Sequence, residues 1–527
     1  MSTFDRLSGG RLMLLLAALG VGYVDVLSNV SGHSIMTPYL AGSLDGVTPS
    51  FGAWGTTFYL IGVALGVPLA RFLSGRYGEY RLLTLGYLGY AVASLICVSS
   101  PSVFIYAPMR CLFGVFGGLL AVVSQSAALG ELPQKYYKLG LGYWAALGIL
   151  PYTLAVFLGG FWAEYFSWRW LFYANATLGF LISATVAALL HGRAHKRKIV
   201  RFDAVGFALL TVILIAVQMM FSLGNDFDWF DSALLSGALL VVILAVPVFV
   251  IWELGERNPL IDVKLFARSS YAIGVAVGFF GFLTIQGLMS LFSVQMQLLL
   301  GYSSSLAGRM YLVMIVAGLP LAGVMYELSK KIDVRLVISL MAMSAAAVLT
   351  WLGMFDKHAS YAALMIPVVC LGLCVAALSA PASTLATYGL TGARYKRAAE
   401  EFLLFRLVGG AIGIAFQSVV YFRRTPWHQL NLSDYLGGRR FTSLDTLPVL
   451  TQQLQDLGMS ESAARRHIAR MIRQQAGILA LNDAFLLGAC IMFLLGVLVW
   501  FARLKKDPTS HVATAIKTDG KVVTADH

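Results

Sequence analysis

Asp25, Asn29 and His33 stand at i, i+4 and i+8 inside LMLLLAALGVGYVDVLSNVSGHSIMTPYL, an apolar run from Leu12 to Leu40. On a helix that spacing aligns the three as one polar stripe on an otherwise greasy rod. An ionised carboxylate in hydrocarbon costs about 2.5 to 3.5 kcal/mol even on lenient insertion scales, so Asp25 needs a reason to be there. Two readings follow: the stripe binds a proton or a substrate on the first spanning helix, or it is a buried hydrogen-bonded helix contact. Arg110, in RCLFGVFGGLLAVVSQ, is the charge that matches it. Asp25 lies about fourteen residues into a helix entering from one face, and Arg110 about seven residues into a helix entering from the other. At 1.5 Å per residue both fall roughly 20 Å from the same face. A pair would offset part of the cost of each charge, and a proton on Asp25 would weaken it, which is the coupling a proton-driven carrier needs. The alternative is that Arg110 bonds helix carbonyls.

Other polar side chains in apolar runs are fewer and weaker signals. Gln125, Gln286, Gln295 and Gln297, with Asn29 and His33, are candidates for lining a cavity. Arg406, in EEFLLFRLVGGAIG beside Glu400 and Glu401, sits about 10 Å from the inner face, as a gating or packing charge or as a side chain snorkelling to the interface. Gly114, Gly118, Ala121 and Gln125 share one side of the Arg110 helix, where small residues permit either close helix approach or a ligand channel. Asp483 and Glu327, near span ends, read as structural. There is no phosphate loop, no spaced His and Cys cluster and no nucleophile triad, so neither an enzyme nor an ATP-driven pump is expected, nor a metal or cofactor. The five cysteines fall inside apolar runs and read as packing residues.

These residues require many membrane-spanning helices to hold them. Of 527 residues 58% are hydrophobic and only 12% charged, and the mean hydropathy is +0.76, far outside the range of a soluble domain. An all-α polytopic membrane protein follows. Spans are expected near 12–32, 51–72, 81–99, 103–125, 139–161 and 169–190, then 204–223 and 233–252, then 271–292, 306–327, 335–355, 361–388, 400–422 and 479–502. The first is too long for a signal-peptide core and lacks a small-residue cleavage site, so it reads as uncleaved. Arg76, Arg81, Lys135, Lys138 and the run from Arg193 to Arg201 fall in alternate loops, as do Lys330, Lys331, Arg335, Arg394, Lys396, Arg397 and Arg503. By the positive-inside rule the count is fourteen transmembrane helices, N-in/C-in. The net charge of +13 is thereby a matter of topology, and no nucleic-acid partner is implied.

The organisation expected is 1–190 as a six-helix bundle, 191–270 as an inserted two-helix segment with basic inner loops, 271–502 as a second six-helix bundle, and 503–527 as a disordered cytoplasmic tail. Within the second bundle 423–478 is a long outer loop rich in arginine. In it Gly458 ends one helical pattern and Ser460 caps another, with Ala464, Ile468, Met471 and Ile472 on one face. That loop is either a solvated helix hairpin or a docking surface.

SWRWLFYANATLG at 167–179, FDAVG at 202–206, NPLIDVKLF at 258–266, LGYSSSLAG at 300–308, RLVGGAIG at 406–413 and ALNDAF at 480–485 resemble the fourteen-span drug:proton antiporter family of the major facilitator superfamily, as do Asp25 with Asn29 and Arg110 with Gly114. The resemblance implies the major facilitator fold, two six-helix bundles plus two inserted helices, and a proton-coupled exporter of an organic solute across the bacterial cytoplasmic membrane. It also implies a periplasmic adaptor and an outer-membrane channel as partners, beside protons, lipid and a small-molecule substrate. The chain departs from the pattern at Gly75, usually aspartate, at Glu79, usually basic, at Thr177, usually proline, and at Ala155 and Val156, where a Gly-Pro pair normally precedes Gly159 and Gly160. The last departure keeps import by symport open as an alternative, and a non-transporting scaffold or receptor is the alternative from another class. A direct Asp25–Arg110 pair predicts that reversing both charges rescues more transport than either change alone; additive loss would count against the pair.

Overall fold

The computed structural model describes residues 7, 9–44, 49–136, 140, 143–144, 147–148, 150–190, 201–356, 359–437 and 446–504. Asp45, Lys138, the basic run from Arg193 to Lys198, Arg439, Arg440 and the tail from Lys505 onward lie outside them. Fifteen α-helices are described, and no strand is found among the described residues: α1 Gly9–Ser43, α2 Pro49–Tyr77, α3 Glu79–Val98, α4 Val103–Glu131, α5 Leu154–Tyr165, α6 Arg169–Leu190, α7 Ala204–Leu223, α8 Ala233–Gly255, α9 Ser269–Leu298, α10 Ser304–Lys331, α11 Val334–Leu352, α12 Tyr361–Ala386, α13 Gly392–Leu436, α14 Leu447–Asp456 and α15 Glu461–Leu498. Helices are the expected solution, because in lipid each backbone N–H and C=O must be satisfied within its own segment. Twelve of them are long and apolar enough to cross a membrane. α5 is only twelve residues long in its described part, and α10 is not among the twelve.

Local signals set the helix starts. Asp203 accepts from Gly206 N at 2.8 Å at the head of α7, Asp333 accepts from Arg335 N at 2.9 Å at α11, and Ser460 accepts from Ala463 N at 3.3 Å at α15. Each satisfies an N–H that the first turn leaves orphaned. Gly458 has φ +91°, the left-handed conformation that stops α14 and turns the chain toward α15.

Helices α1 to α6 pack among themselves, with α1 touching α2, α4, α5 and α6, and α3 lying against α4 and α6. Helices α9, α12, α13 and α15 make a second group with α10 and α11, and α7 pairs with α8 while also touching α2 and α13. α2 and α4 lie backbone against backbone. Gly62 and Gly66 face Gly114 and Gly118, and a methyl at Gly62 would fall on the Cys111 carbonyl, one at Gly118 on that of Val63. This is the small-xxx-small arrangement, in which bare backbones gain dispersion contact that lipid cannot offer. Of the two readings of Gly114 and Gly118, close helix approach is the one realised. Between α9 and α13 the same device recurs, with Gly409 on the Phe279 carbonyl and Gly413 on that of Leu283.

The helices outrun the expected spans most at three places. α1 continues eleven residues beyond 32, and α13 and α15 extend through much of the 423–478 segment, to Leu436 and from Glu461. Residues 461–476 are rich in helix formers and hold no glycine, so α15 leaves the apolar zone with its hydrogen-bond ladder intact, while α13 runs on through 423–436 across Pro426, which has no N–H to offer the Phe422 carbonyl. Ala464 and Ile468 are buried as expected, whereas Met471 is 45% exposed because it falls on the flank of the stripe that continues through Ala476. Gly62→Leu or Gly118→Leu is expected to separate α2 from α4 and lower the thermal midpoint of the purified protein by several degrees or prevent folding. Gly237→Ala, where an added methyl meets nothing within 4 Å, serves as the neutral control.

Candidate functional site

Arg110 is the largest fully buried side chain, at 0% exposure, and it is held by backbone as much as by side chains. Its Nε donates to the Gly55 carbonyl at 3.0 Å, Nη1 to Asn29 Oδ1 at 3.2 Å and Nη2 to the Asn29 carbonyl at 3.1 Å. Aromatic faces close around the charge, with the Tyr59, Phe172 and Phe113 ring centroids 4.6, 5.3 and 5.6 Å from Cζ. A cation stripped of water is stabilised by such ring faces and by aligned carbonyls.

Asn29 is the centre of the array. Its Oδ1 also accepts from Asn175 Nδ2 at 2.8 Å, and its Nδ2 donates to Tyr90 Oη at 2.8 Å and to the Asp25 carbonyl at 3.0 Å. Tyr90 in turn donates to Asp25 Oδ2 at 3.0 Å. The direct Asp25–Arg110 ion pair is therefore absent. Arg110 engages α1 one turn beyond Asp25, about 5.4 Å along the axis, and Asn29 with Tyr90 fills the gap. The alternative of carbonyl bonding for Arg110 is realised at Gly55 and Asn29. Asp25 itself is half-buried, one oxygen tied to Tyr90 and the other without a protein partner. Through Tyr90 and Asn29 that carboxyl is linked to Arg110 on α4 and Asn175 on α6.

His33, one turn further along α1, is fully buried, and its ring nitrogens meet Thr56 Oγ1 at 2.6 Å and Tyr106 Oη at 2.8 Å. Gly55 makes this possible, since a Cβ there would lie 2.6 Å from His33 Nε2. His33 thus extends the array toward α2 and α4 rather than facing an open cavity. Gln125 is half-buried and stands apart from it. Gln286 is buried on α9 against Gly410, Gln295 keeps an unpartnered buried Oε1, and Gln297 donates to the Ile35 carbonyl at 2.9 Å. Arg406 on α13 donates to Ser379 Oγ at 3.0 Å and lies 4.7 Å from the Phe282 ring centroid, tying α13 to α12 and α9. Asp483 accepts from Arg424 at 2.5 Å and contacts His428 at 2.7 Å. The Glu327 side chain lies outside the described set.

Sequence reasoning missed Tyr59, Tyr90, Tyr106, Asn175 and Gln417. Asn175 and Gln417 were findable as lone amides in apolar helices; Gln417 is fully buried beside Gly287 with both amide atoms unpartnered. The three tyrosines give no signal in a chain that has 23 of them.

The first helix group is fastened to the second mostly beyond Asp25, toward the Ser43 end of α1. Ser290 bonds Ser34 at 3.1 Å, Ser304 donates to the Gly160 carbonyl at 2.9 Å and Ser305 N to Glu164 at 2.8 Å. Toward the Gly9 end Arg71 meets Glu400 at 3.6 Å. Because Asn29 separates the two charges, double reversal of Asp25 and Arg110 is expected to lose transport as completely as either single reversal. Arg110→Lys should also fail, because one ammonium cannot span Gly55 and both Asn29 acceptors, and both results are read from transport assays alongside a check of the thermal midpoint.

Residues 14–414 match the model of the Major Facilitator Superfamily. The fatty acid resistance protein FarB of Neisseria gonorrhoeae is 28% identical over 503 residues, covering 95% of this chain and 98% of the relative. The multidrug export protein EmrB of Escherichia coli (strain K12) is 27% identical over 499 residues, covering 94% and 96%. Among solved structures, a POT family peptide transporter superposes with a TM-score of 0.60 at 14% identity, over 95% of this chain and 98% of that one, and a D-xylose-proton symporter with 0.58 at 13%, over 94% and 99%. With an all-helical fold of that shape and a family match spanning most of its length, this chain belongs to the major facilitator superfamily.

Proposed function

We propose that this chain is a proton-coupled secondary transporter that exports an amphiphilic organic solute across the bacterial cytoplasmic membrane by alternating access. Asp25 is its protonatable switch, and Tyr90, Asn29 and Arg110 carry the change into neighbouring helices. The observation that carries the reading is the continuous hydrogen-bonded path from a half-buried carboxylate to a fully buried guanidinium. In water such groups exchange partners at little cost. In a dry helix bundle each loss of a partner must be made good elsewhere, so a proton arriving at Asp25 acts on several helices together.

Export and an amphiphilic cargo are supported by relatives named for multidrug export and fatty acid resistance. Gln286, Gln295 and Gln417, with spare hydrogen-bonding capacity in apolar walls, are the proposed contacts for the polar end of such a solute. We read α5 and α10 as spans beside the twelve, which gives fourteen with both termini cytoplasmic by the distribution of lysine and arginine. On that orientation residues 1–190 and 271–502 are the two bundles, 191–270 the inserted pair, and the helical outer extension of α13, α14 and α15 faces the periplasm as the docking place for an adaptor that leads to an outer-membrane channel. The loss of the Gly-Pro pair at Ala155 and Val156 does not open the α1–α5 contact, because Gly32 and Gly159 keep the backbones close.

In everted vesicles an acid interior is expected to drive solute inward, the direction of export. Asp25→Asn should abolish this uphill accumulation, by at least about tenfold, while leaving solute counterflow without a gradient intact. Undiminished accumulation by Asp25→Asn would place the switch elsewhere.

A further inference from the structure

Two motifs, FDAVG and NPLIDVKLF, play no part in the array around Asp25, yet they meet in space at the foot of α7 and α8. Asp203 caps α7: its Oδ1 accepts from Gly206 N at 2.8 Å and from Trp252 Nε1 at 2.9 Å. Its Oδ2 is buried with no partner. Glu253, 1% exposed in the last turns of α8, accepts with Oε2 from Leu260 N at 2.8 Å and Ile261 N at 3.4 Å. Its Oε1 is likewise buried with no partner. The two free oxygens converge on Gly206, where a Cβ would touch Asp203 Oδ2 and lie 2.7 Å from Glu253 Oε1. Only glycine leaves that space open.

Two full negative charges facing one another in a dry pocket are untenable without a cation or a proton between them. Among the described residues no lysine or arginine ion-pairs with either acid. The nearby cations are committed, Arg71 to Glu400 at 3.6 Å and Arg397 to Asp262 at 3.9 Å, and Glu401 adds a further acid, satisfied by Asp262 N at 2.8 Å and the Tyr271 hydroxyl at 2.5 Å. A hard metal cation takes about six or more oxygens, and two are offered here; a proton needs two.

We propose that Asp203 Oδ2 and Glu253 Oε1 share one proton, making a second proton-binding site separate from the Asp25 array. Its position gives it a consequence. Residues 259–262 are gripped by Glu253 on α8, by Arg71 on α2 through the Pro259 and Leu260 carbonyls at 3.5 Å, and by Glu401 on α13. Removing the proton leaves charge −2 in place of −1 on the pair. Repulsion then draws Glu253 away from Leu260 N and Ile261 N and loosens the segment that joins both helix groups. The site does not require Asp25 to be the transport switch.

Infrared spectra of the full chain in lipid nanodiscs test this, with Asp25→Asn as the background so that Asp25 contributes nothing. The carbonyl band of a protonated carboxyl is expected at neutral pH and is expected to lose one carboxyl's intensity in Glu253→Gln, and likewise in Asp203→Asn. Glu253→Gln retains a side-chain carbonyl for Leu260 N, so it is the variant expected to fold, and hydrogen exchange at Leu260 and Ile261 should lose the extra acceleration at alkaline pH that the parent shows. A band unchanged by both substitutions overturns the proposal. So does a thermal midpoint that rises when sodium replaces choline in the parent and not in Glu253→Gln, since a cation would then occupy the pocket.

Discussion

The bond between Arg110 and Asn29 is the constraint from which the rest of the first helix group follows. A guanidinium with no exposure inside a membrane protein is tolerable only when carbonyls and ring faces replace its water, and Arg110 draws these from α1, α2, α4 and α6. Four helices are thereby fixed in rotation relative to one another. Asp25, Tyr90, Asn175 and His33 are arranged around that grip, and none of them could be placed without it.

The glycines of α2 and α4 are the other half of the same design. Gly55 brings its carbonyl to Arg110 Nε and leaves room for His33, and Gly62, Gly66, Gly114 and Gly118 let the two backbones touch. If the axes stood at the separation that larger side chains impose, the Gly55 carbonyl would be out of reach of Arg110 Nε. Close packing and polar satisfaction are thus one requirement, because in hydrocarbon neither water nor a hydrophobic driving force will repair a gap.

Polar groups elsewhere serve to fasten. Asp483 holds Arg424 and His428 at the base of the helical extension of α13 and α15, and Gln474 donates to the Leu299 carbonyl at 2.7 Å, so the extension is tied to the end of α9. At the opposite end of α13, Glu400, Glu401, Arg71 and the 259–262 segment join elements far apart in the chain. The second helix group contains amides with spare capacity, Gln295 and Gln417, where the first contains a charge network in which Asn29, Tyr90 and Arg110 are bonded and one Asp25 oxygen is left open. That asymmetry is what the proposed division of labour needs, with the proton on one group and the solute's polar end on the other.

The sequence by itself determined the class of protein, most of its helices and the residues that had to be explained. Apolar runs of spanning length, the caps at Asp203, Ser460 and Asp333 and the stop at Gly458 are local properties, written in a few adjacent residues. Asp25, Asn29 and Arg110 were legible for the same reason: a charge in an apolar run stands out wherever it folds. Only the tertiary structure decided who bonds to whom. Depth placed Asp25 and Arg110 at one level, but depth is a single coordinate, and helix rotation and separation interposed Asn29 and Tyr90 between them. The convergence of Asp203 and Glu253 on Gly206 was equally hidden, since fifty residues separate the acids and their meeting depends on how α7 folds back against α8.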